Sequence, residues 1–211
     1  MNILPNDCLI IVDVQNDFCH EGALAVPGAS EVVPVINRLL RKTPGFRTVV
    51  LTQDWHPADH KSFASNQPAG ARPFDVIEMP YGPQVLWPDH CIQASAGAAF
   101  HPELDTRSAT LVIRKGMNPA IDSYSAFREN DRETETGLAG YLRDRGVERI
   151  FLVGLALDYC VRFSAVDARG FGFAAVVIAN ACRAIDNNGS LAATYADFAG
   201  ASVTLMDDAL V

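Results

Sequence analysis

The sequence has no apolar run approaching the roughly 20 residues that cross a bilayer, and its first nine residues hold no basic segment leading into an apolar one. It therefore predicts neither a transmembrane helix nor a secretory signal. CxxC pairs are absent too: Cys8, Cys19, Cys91, Cys160 and Cys182 form an odd, scattered set. With no export signal expected, that pattern reads as reduced thiols in a cytoplasmic protein, not as a disulfide framework. Clusters of Lys and Arg are missing, and the formal net charge is -8. Nucleic acid and anionic membranes would repel such a chain, so neither is expected as a partner. No GxGxxG follows the first apolar run, which argues against a dinucleotide phosphate loop. No repeat or linker divides the 211 residues, a length that suits one domain over 1–211. Homo-oligomer formation is left open.

What is present is an alternation of apolar strands and amphipathic helices. Cys8 to Val14 is nearly continuous apolar sequence ending around Asp13, as expected of a strand buried on both faces. Val32, Val33, Ile36, Leu39 and Leu40 then recur at helical spacing, and Thr48 to Thr52 is a second strand leading to Gln53-Asp54. From Pro57 to Pro102 the periodicity breaks down into sequence rich in Pro, Gly, Ala and His, which predicts long functional loops with short helical turns. Strands resume at Ala109–Arg114, Arg149–Gly154, Phe173–Ala179 and Ser202–Leu205. Between them, helices are predicted over Thr136–Arg145, from an N-cap at Asp158 to Arg169, and around Ser190–Phe198. Such repetition predicts an α/β fold of three layers, with a mostly parallel, roughly six-stranded central sheet covered by helices on both faces.

Ligands of open α/β sheets bind beyond the carboxyl ends of the strands. Those ends carry Asp13, Asp54, Lys115 and the turn leading to Cys160. At the start of a helix, Cys160 would meet free N–H groups and a positive potential that favour thiolate; as an isolated cysteine it reads equally as a small buried apolar residue. Cys8 and Cys182 look structural, whereas Cys19 and Cys91 lie in loops and stay candidates. Asp13 beside Lys115 could carry a thiol proton or form a plain ion pair on the sheet rim. Asp54-Trp55-His56 has an Asp-x-His spacing that can aim two ligands at one ion, with His60 and His90 nearby. That spacing also arises by accident.

Taken together, these segments are recognisable. Ile11-Val12-Asp13-Val14-Gln15-Asn16-Asp17-Phe18, Thr52-Gln53-Asp54-Trp55-His56-Pro57, Leu86-Trp87-Pro88-Asp89-His90-Cys91, Lys115-Gly116 with Asp122-Ser123-Tyr124-Ser125-Ala126-Phe127, and Val153-Gly154-Leu155-Ala156 before Asp158-Tyr159-Cys160-Val161 occur in order over most of the chain. The set resembles the nicotinamidase branch of the isochorismatase-like hydrolases, which are cysteine amidases and their relatives. The resemblance implies hydrolysis of nicotinamide to nicotinate and ammonia, a step of NAD salvage, with pyrazinamide as a further substrate. It assigns Cys160 as nucleophile, Asp13 as proton carrier and Lys115 as the third member of the triad. It implies one divalent metal, Zn or Fe before Mn, on Asp54, His56 and His90, where it would meet the pyridine nitrogen; His60 and Ser62 fall near that set. Phe18, Trp87, Tyr124 and Leu155 correspond to substrate-binding positions. A cis peptide is implied before Ala156, whose N–H would form an oxyanion hole with that of Cys160, each donor contributing about 3–4 kcal/mol to the barrier.

Two departures from the family pattern stand out: Leu157 where Thr is commoner, and Ala94-Ser95 where Gly-Thr is commoner. Neither touches a reacting atom in the implied scheme. Three other readings compete. An amidase for carbamoyl or ureido substrates would not use the Asp54/His56/His90 set. A vinyl-ether hydrolase of the isochorismatase type would not need Cys160. A redox-sensing thiol protein would need a resolving cysteine, and no spacing provides one.

Overall fold

Three segments, Asp7–Val12, Thr48–Asp54 and Arg149–Leu155, are buried almost end to end, and such segments become parallel strands because only full ladder pairing satisfies their backbone away from water. In the computed structural model, β1 (Asp7–Val12), β2 (Thr48–Asp54), β5 (Leu111–Lys115), β6 (Arg149–Leu155), β7 (Ala174–Arg183) and β8 (Thr204–Met206) form one sheet. Their order is β5-β2-β1-β6-β7-β8, with every pairing parallel. Residues 2–207 are described; Met1 and residues 208–211, the outer ends of the expected 1–211 domain, lie outside the described residues.

The helices are α1 (Val32–Leu40), α2 (Leu138–Asp144), α3 (Arg162–Gly170) and α4 (Ser190–Ala201). α1 lies between β1 and β2, and α3 between β6 and β7, so the two crossovers step away from the sheet centre in opposite directions. Right-handed crossovers therefore set α1 and α3 on opposite faces, and α4 packs beside α3. The α/β, three-layer expectation holds, with a sheet that is wholly parallel. None of the helices among the described residues is long and apolar enough to cross a membrane.

Two departures from the sequence reading affect the site. The Pro57–Pro102 stretch is not only loop: it contains an antiparallel hairpin of β3 (Val76–Met79) and β4 (Gly82–Val85). Its strands are only four residues long and partly exposed, too short for a period-2 signal to emerge. The second concerns Asp158, which is no N-cap. A five-residue π-helical turn, Leu157–Val161, precedes α3. The Asp158 carboxylate instead accepts the N–H groups of Ile185 (3.0 Å) and Asp186 (2.8 Å) and the Ser190 hydroxyl. It ties the cysteine turn to the segment after β7.

Gly154 is fixed by geometry. Its φ is +112°, and a Cβ there would run into the backbone of Val12, its register partner on β1. Close approach of β1 and β6 at this point requires glycine.

Candidate active site

From β1 the chain steps outward to β2, and from β6 it steps outward the other way to β7. A crevice opens at the carboxyl ends flanking such a reversal. Asp13 follows β1, Asp54 ends β2, Lys115 ends β5, and Cys160 lies in the turn after β6. Asp54 and Lys115 are register partners, so their side chains leave the sheet together.

Lys115 is the hub of the crevice. Its fully buried Nζ lies 2.9 Å from Asp13 Oδ2, donates to Asp54 Oδ1 and to the Ser123 carbonyl (2.9 Å), and reaches Cys160 Sγ at 3.4 Å. Asp13 is wholly buried with φ +46°, a left-handed conformation uncommon outside glycine. Its Oδ1 accepts the Thr52 hydroxyl at 2.5 Å, and its own N–H donates to Thr52 Oγ1 at 3.1 Å. Its Oδ2 has no hydrogen-bond partner among the described residues apart from the charge of Lys115.

Burial governs the protonation states. It pushes the Asp13 carboxyl above the ordinary carboxylate range, and the pull of Lys115 does not cancel it. Burial also pushes the Cys160 thiol well up; Lys115 opposes this, while Asp13 and Asp54 add to it. Lys115 stays well above the usual lysine value because Asp13 and Asp54 outweigh the effect of its burial. The thiolate bias expected of a helix N-terminus is therefore overridden. Loss of water around the sulfur costs more than the nearby ammonium returns. All five cysteines are buried and free; burial raises Cys19 to about 11 and Cys182 to about 12.

Asp54 faces two imidazoles on its other side. Its Oδ2 lies 3.5 Å from His56 Nε2 and 3.9 Å from His90 Nε2, and the ligand atoms of all three residues fall within 4.8 Å of one another. His56 Nδ1 pairs with the Gly116 carbonyl at 2.9 Å and His90 Nδ1 with the Pro88 carbonyl at 2.8 Å. A ring that donates through Nδ1 to a carbonyl presents Nε2 as a lone pair. Gly116 has φ +66°, and a Cβ there would strike the His56 ring. Burial, reinforced by His56, pushes His90 down to about 4; burial opposes the charge of Asp54, but Lys115 and the two imidazoles hold it below the usual carboxylate range. An ionised carboxylate with convergent imidazole nitrogens fits a divalent cation such as zinc, iron or manganese.

His90 arrives from a distant segment. His56 N–H donates to the Cys91 carbonyl (3.0 Å) and Gln93 N–H to the His56 carbonyl (2.9 Å), laying residues 91–93 alongside His56. His60 lies against the His56 ring, but its Nδ1 meets the Ser62 hydroxyl at 2.7 Å and its Nε2 faces the Ile121 carbonyl at 3.4 Å. Both ring nitrogens of His60 thus have protein partners.

A cavity above this cluster is lined by Phe18, Trp87, Tyr124, Ala156 and Cys160 from the sequence reading, together with Asp54, His56 and His90. The peptide between Leu155 and Ala156 is cis. Leu155 is fully buried as the last residue of β6 and is not among the residues lining the cavity, whereas Ala156 is. Leu24, Asp122, Tyr159 and Ile185 also line the cavity. Asp122 and Tyr159 lie inside segments that sequence singles out. Leu24 and Ile185 lie outside any motif, and nothing local marks them.

An isochorismatase domain model matches residues 7–208. The nicotinamidase of Acinetobacter baylyi is 56% identical over 187 residues, covering 88% of this chain and 86% of that one. A solved nicotinamidase/pyrazinamidase of Acinetobacter baumanii superposes with a TM-score of 0.94 at 48% identity, covering 98% of both chains. A protein of L. infantum, solved in complex with nicotinate, superposes with a TM-score of 0.83 at 40% identity, covering 96% of this chain and 93% of that one. Matched by that domain model over residues 7–208 and by a 56% identical relative over 88% of its length, this chain belongs to the isochorismatase domain family.

Proposed function

We propose that this protein is a nicotinamidase, an amidohydrolase that converts nicotinamide to nicotinate and ammonia and also accepts pyrazinamide. One observation carries the reading: a buried thiol, ammonium and carboxylate, Cys160, Lys115 and Asp13, sit together beneath an aromatic-walled cavity beside the Asp54/His56/His90 donor set. Flat walls from Phe18, Trp87 and Tyr124 suit a planar heteroaromatic amide. The names of the relatives at 56% and 48% identity support the same substrate.

In this reading Cys160 Sγ attacks the carboxamide carbon while its proton passes to Asp13 Oδ2. The oxygen of the tetrahedral adduct is stabilised by the N–H groups of Ala156 and Cys160. Asp13 returns the proton to the departing nitrogen, so ammonia leaves and a thioester remains. Water then attacks the thioester as Asp13 takes its proton, and the sulfur leaves and regains one, releasing nicotinate. Lys115 keeps Asp13 poised and compensates the charge that develops on sulfur. A divalent metal held by Asp54, His56 and His90 would supply a Lewis-acid anchor for the ring nitrogen of the substrate.

The test is ammonia release from nicotinamide by purified protein beside its Cys160→Ala variant. Release by the parent and loss of at least a thousandfold in the variant, with the variant still folded, supports the reading. No release by reduced, metal-supplied parent protein overturns it and directs the search to carbamoyl and ureido amides.

A further inference from the structure

The β3–β4 hairpin stands outside the main sheet, yet one of its side chains is almost wholly buried: Gln84 is 1% exposed. Its Nε2, with two hydrogens, faces three acceptors: the Val85 carbonyl at 2.7 Å, Asp122 Oδ2 at 2.8 Å and the Tyr124 hydroxyl at 2.9 Å. Its Oε1 accepts from the Tyr81 hydroxyl at 3.2 Å and from Asn130 Nδ2 at 3.1 Å. Asp122 and Tyr124 are cavity walls, whereas Gln84 does not touch the cavity. The Tyr124 oxygen also receives the Trp87 indole N–H at 3.3 Å.

We propose that Gln84 is a positioning residue for the aromatic substrate: through Tyr124 and Asp122 it sets the wall against which the ring lies, making the hairpin part of the binding site. This rests on the nicotinamidase reading. Only a primary amide suits the position, because donors are needed toward Asp122 and Tyr124 and an acceptor toward Tyr81 and Asn130. A carboxylate of the same shape would lose both donors and face the Asp122 carboxylate. With the Gln84 amide and the Trp87 indole N–H both facing its oxygen, the Tyr124 hydroxyl has its own hydrogen left to point elsewhere, and its ring is held at both polar contacts. Loss of Gln84 frees the ring without touching Cys160, Asp13 or Lys115.

The experiment is steady-state ammonia release from nicotinamide by the parent, Gln84→Ala, Gln84→Glu, Tyr124→Phe and the Gln84→Ala/Tyr124→Phe pair, with thermal unfolding of each. In Gln84→Ala, KM should rise about tenfold while kcat falls less than threefold, and Gln84→Glu should be worse than Gln84→Ala despite its closer shape. The KM effects in the pair should be smaller than the product of the single effects, because Gln84 acts through Tyr124. A KM within twofold of the parent in Gln84→Ala overturns the proposal. So does a fall in kcat as large as the rise in KM, or multiplication of the two single effects. If the parent releases no ammonia the nicotinamidase reading fails, and this inference falls with it; an active parent with an indifferent Gln84→Ala sinks this inference alone.

Discussion

Glu129 shows how one residue can carry a pH dependence without entering the chemistry. Its carboxyl is partly buried, and Oε2 has no hydrogen-bond partner among the described residues. Burial, reinforced by Asp122, pushes it up from 4.5 to about 7. The folded chain therefore holds a proton that the unfolded chain releases between those two values, so this group's contribution to stability falls as pH rises through that window. Above about pH 7 the charged form is retained at a cost. Glu129→Gln should thus raise the melting temperature by roughly 2–4 °C at pH 8 and leave it nearly unmoved at pH 4; partial exposure keeps the gain small. Thermal unfolding of both proteins at the two pH values checks this, and an equal shift at each would remove Glu129 as the cause. Cys160 teaches a related lesson. Its place in the sequence suggests a lowered thiol, and its burial gives a raised one. In the proposed mechanism the proton acceptor Asp13 therefore matters more than a helix terminus.

At the scale of elements, the strands were legible because burial on both faces leaves near-continuous apolar runs, as in Cys8–Val12 and Ile150–Val153. The hairpin was not, since Val76–Met79 and Gly82–Val85 are short, half-exposed and interrupted by Gly and Pro. Asp158 was legible as important but not in its role, because its partners Ile185, Asp186 and Ser190 are 27 to 32 residues away. The β1–β6 contact yields a sharp expectation. Gly154→Ala adds a Cβ at positive φ against the Val12 backbone, so it should destabilise by more than about 3 kcal/mol, beyond the ordinary cost of a core change. Urea unfolding measures this. A shift under about 1 kcal/mol would mean that β6 can back away from β1 at little cost.

For the whole molecule, Asp54, His56 and His90 join β2 to the distant 88–93 segment, so an ion bound there would cross-link the sheet to its largest loop region. Binding to the folded chain alone stabilises it by mass action, about 2.7 kcal/mol at a hundred times the dissociation constant. Chelation should lower the melting temperature by several degrees, elemental analysis should show the metal gone, and zinc or iron should restore the value; His90→Ala should abolish that recovery. An unchanged melting temperature on complete metal removal would count against the site. The sequence by itself determined the α/β alternation, the mostly parallel sheet and the strand-end placing of Asp13, Asp54, Lys115 and the turn to Cys160, because burial leaves near-continuous apolar runs; His56 and His90 were marked by the motif resemblance. Tertiary structure alone decided that Leu155 is buried in the core, that Leu24 and Ile185 line the cavity, and that Gln84 is buried against Asp122 and Tyr124. It also decided that burial outweighs Lys115 at the thiol. Those outcomes depend on which distant groups share a dry space, and on how much water each loses there, which no local spacing records.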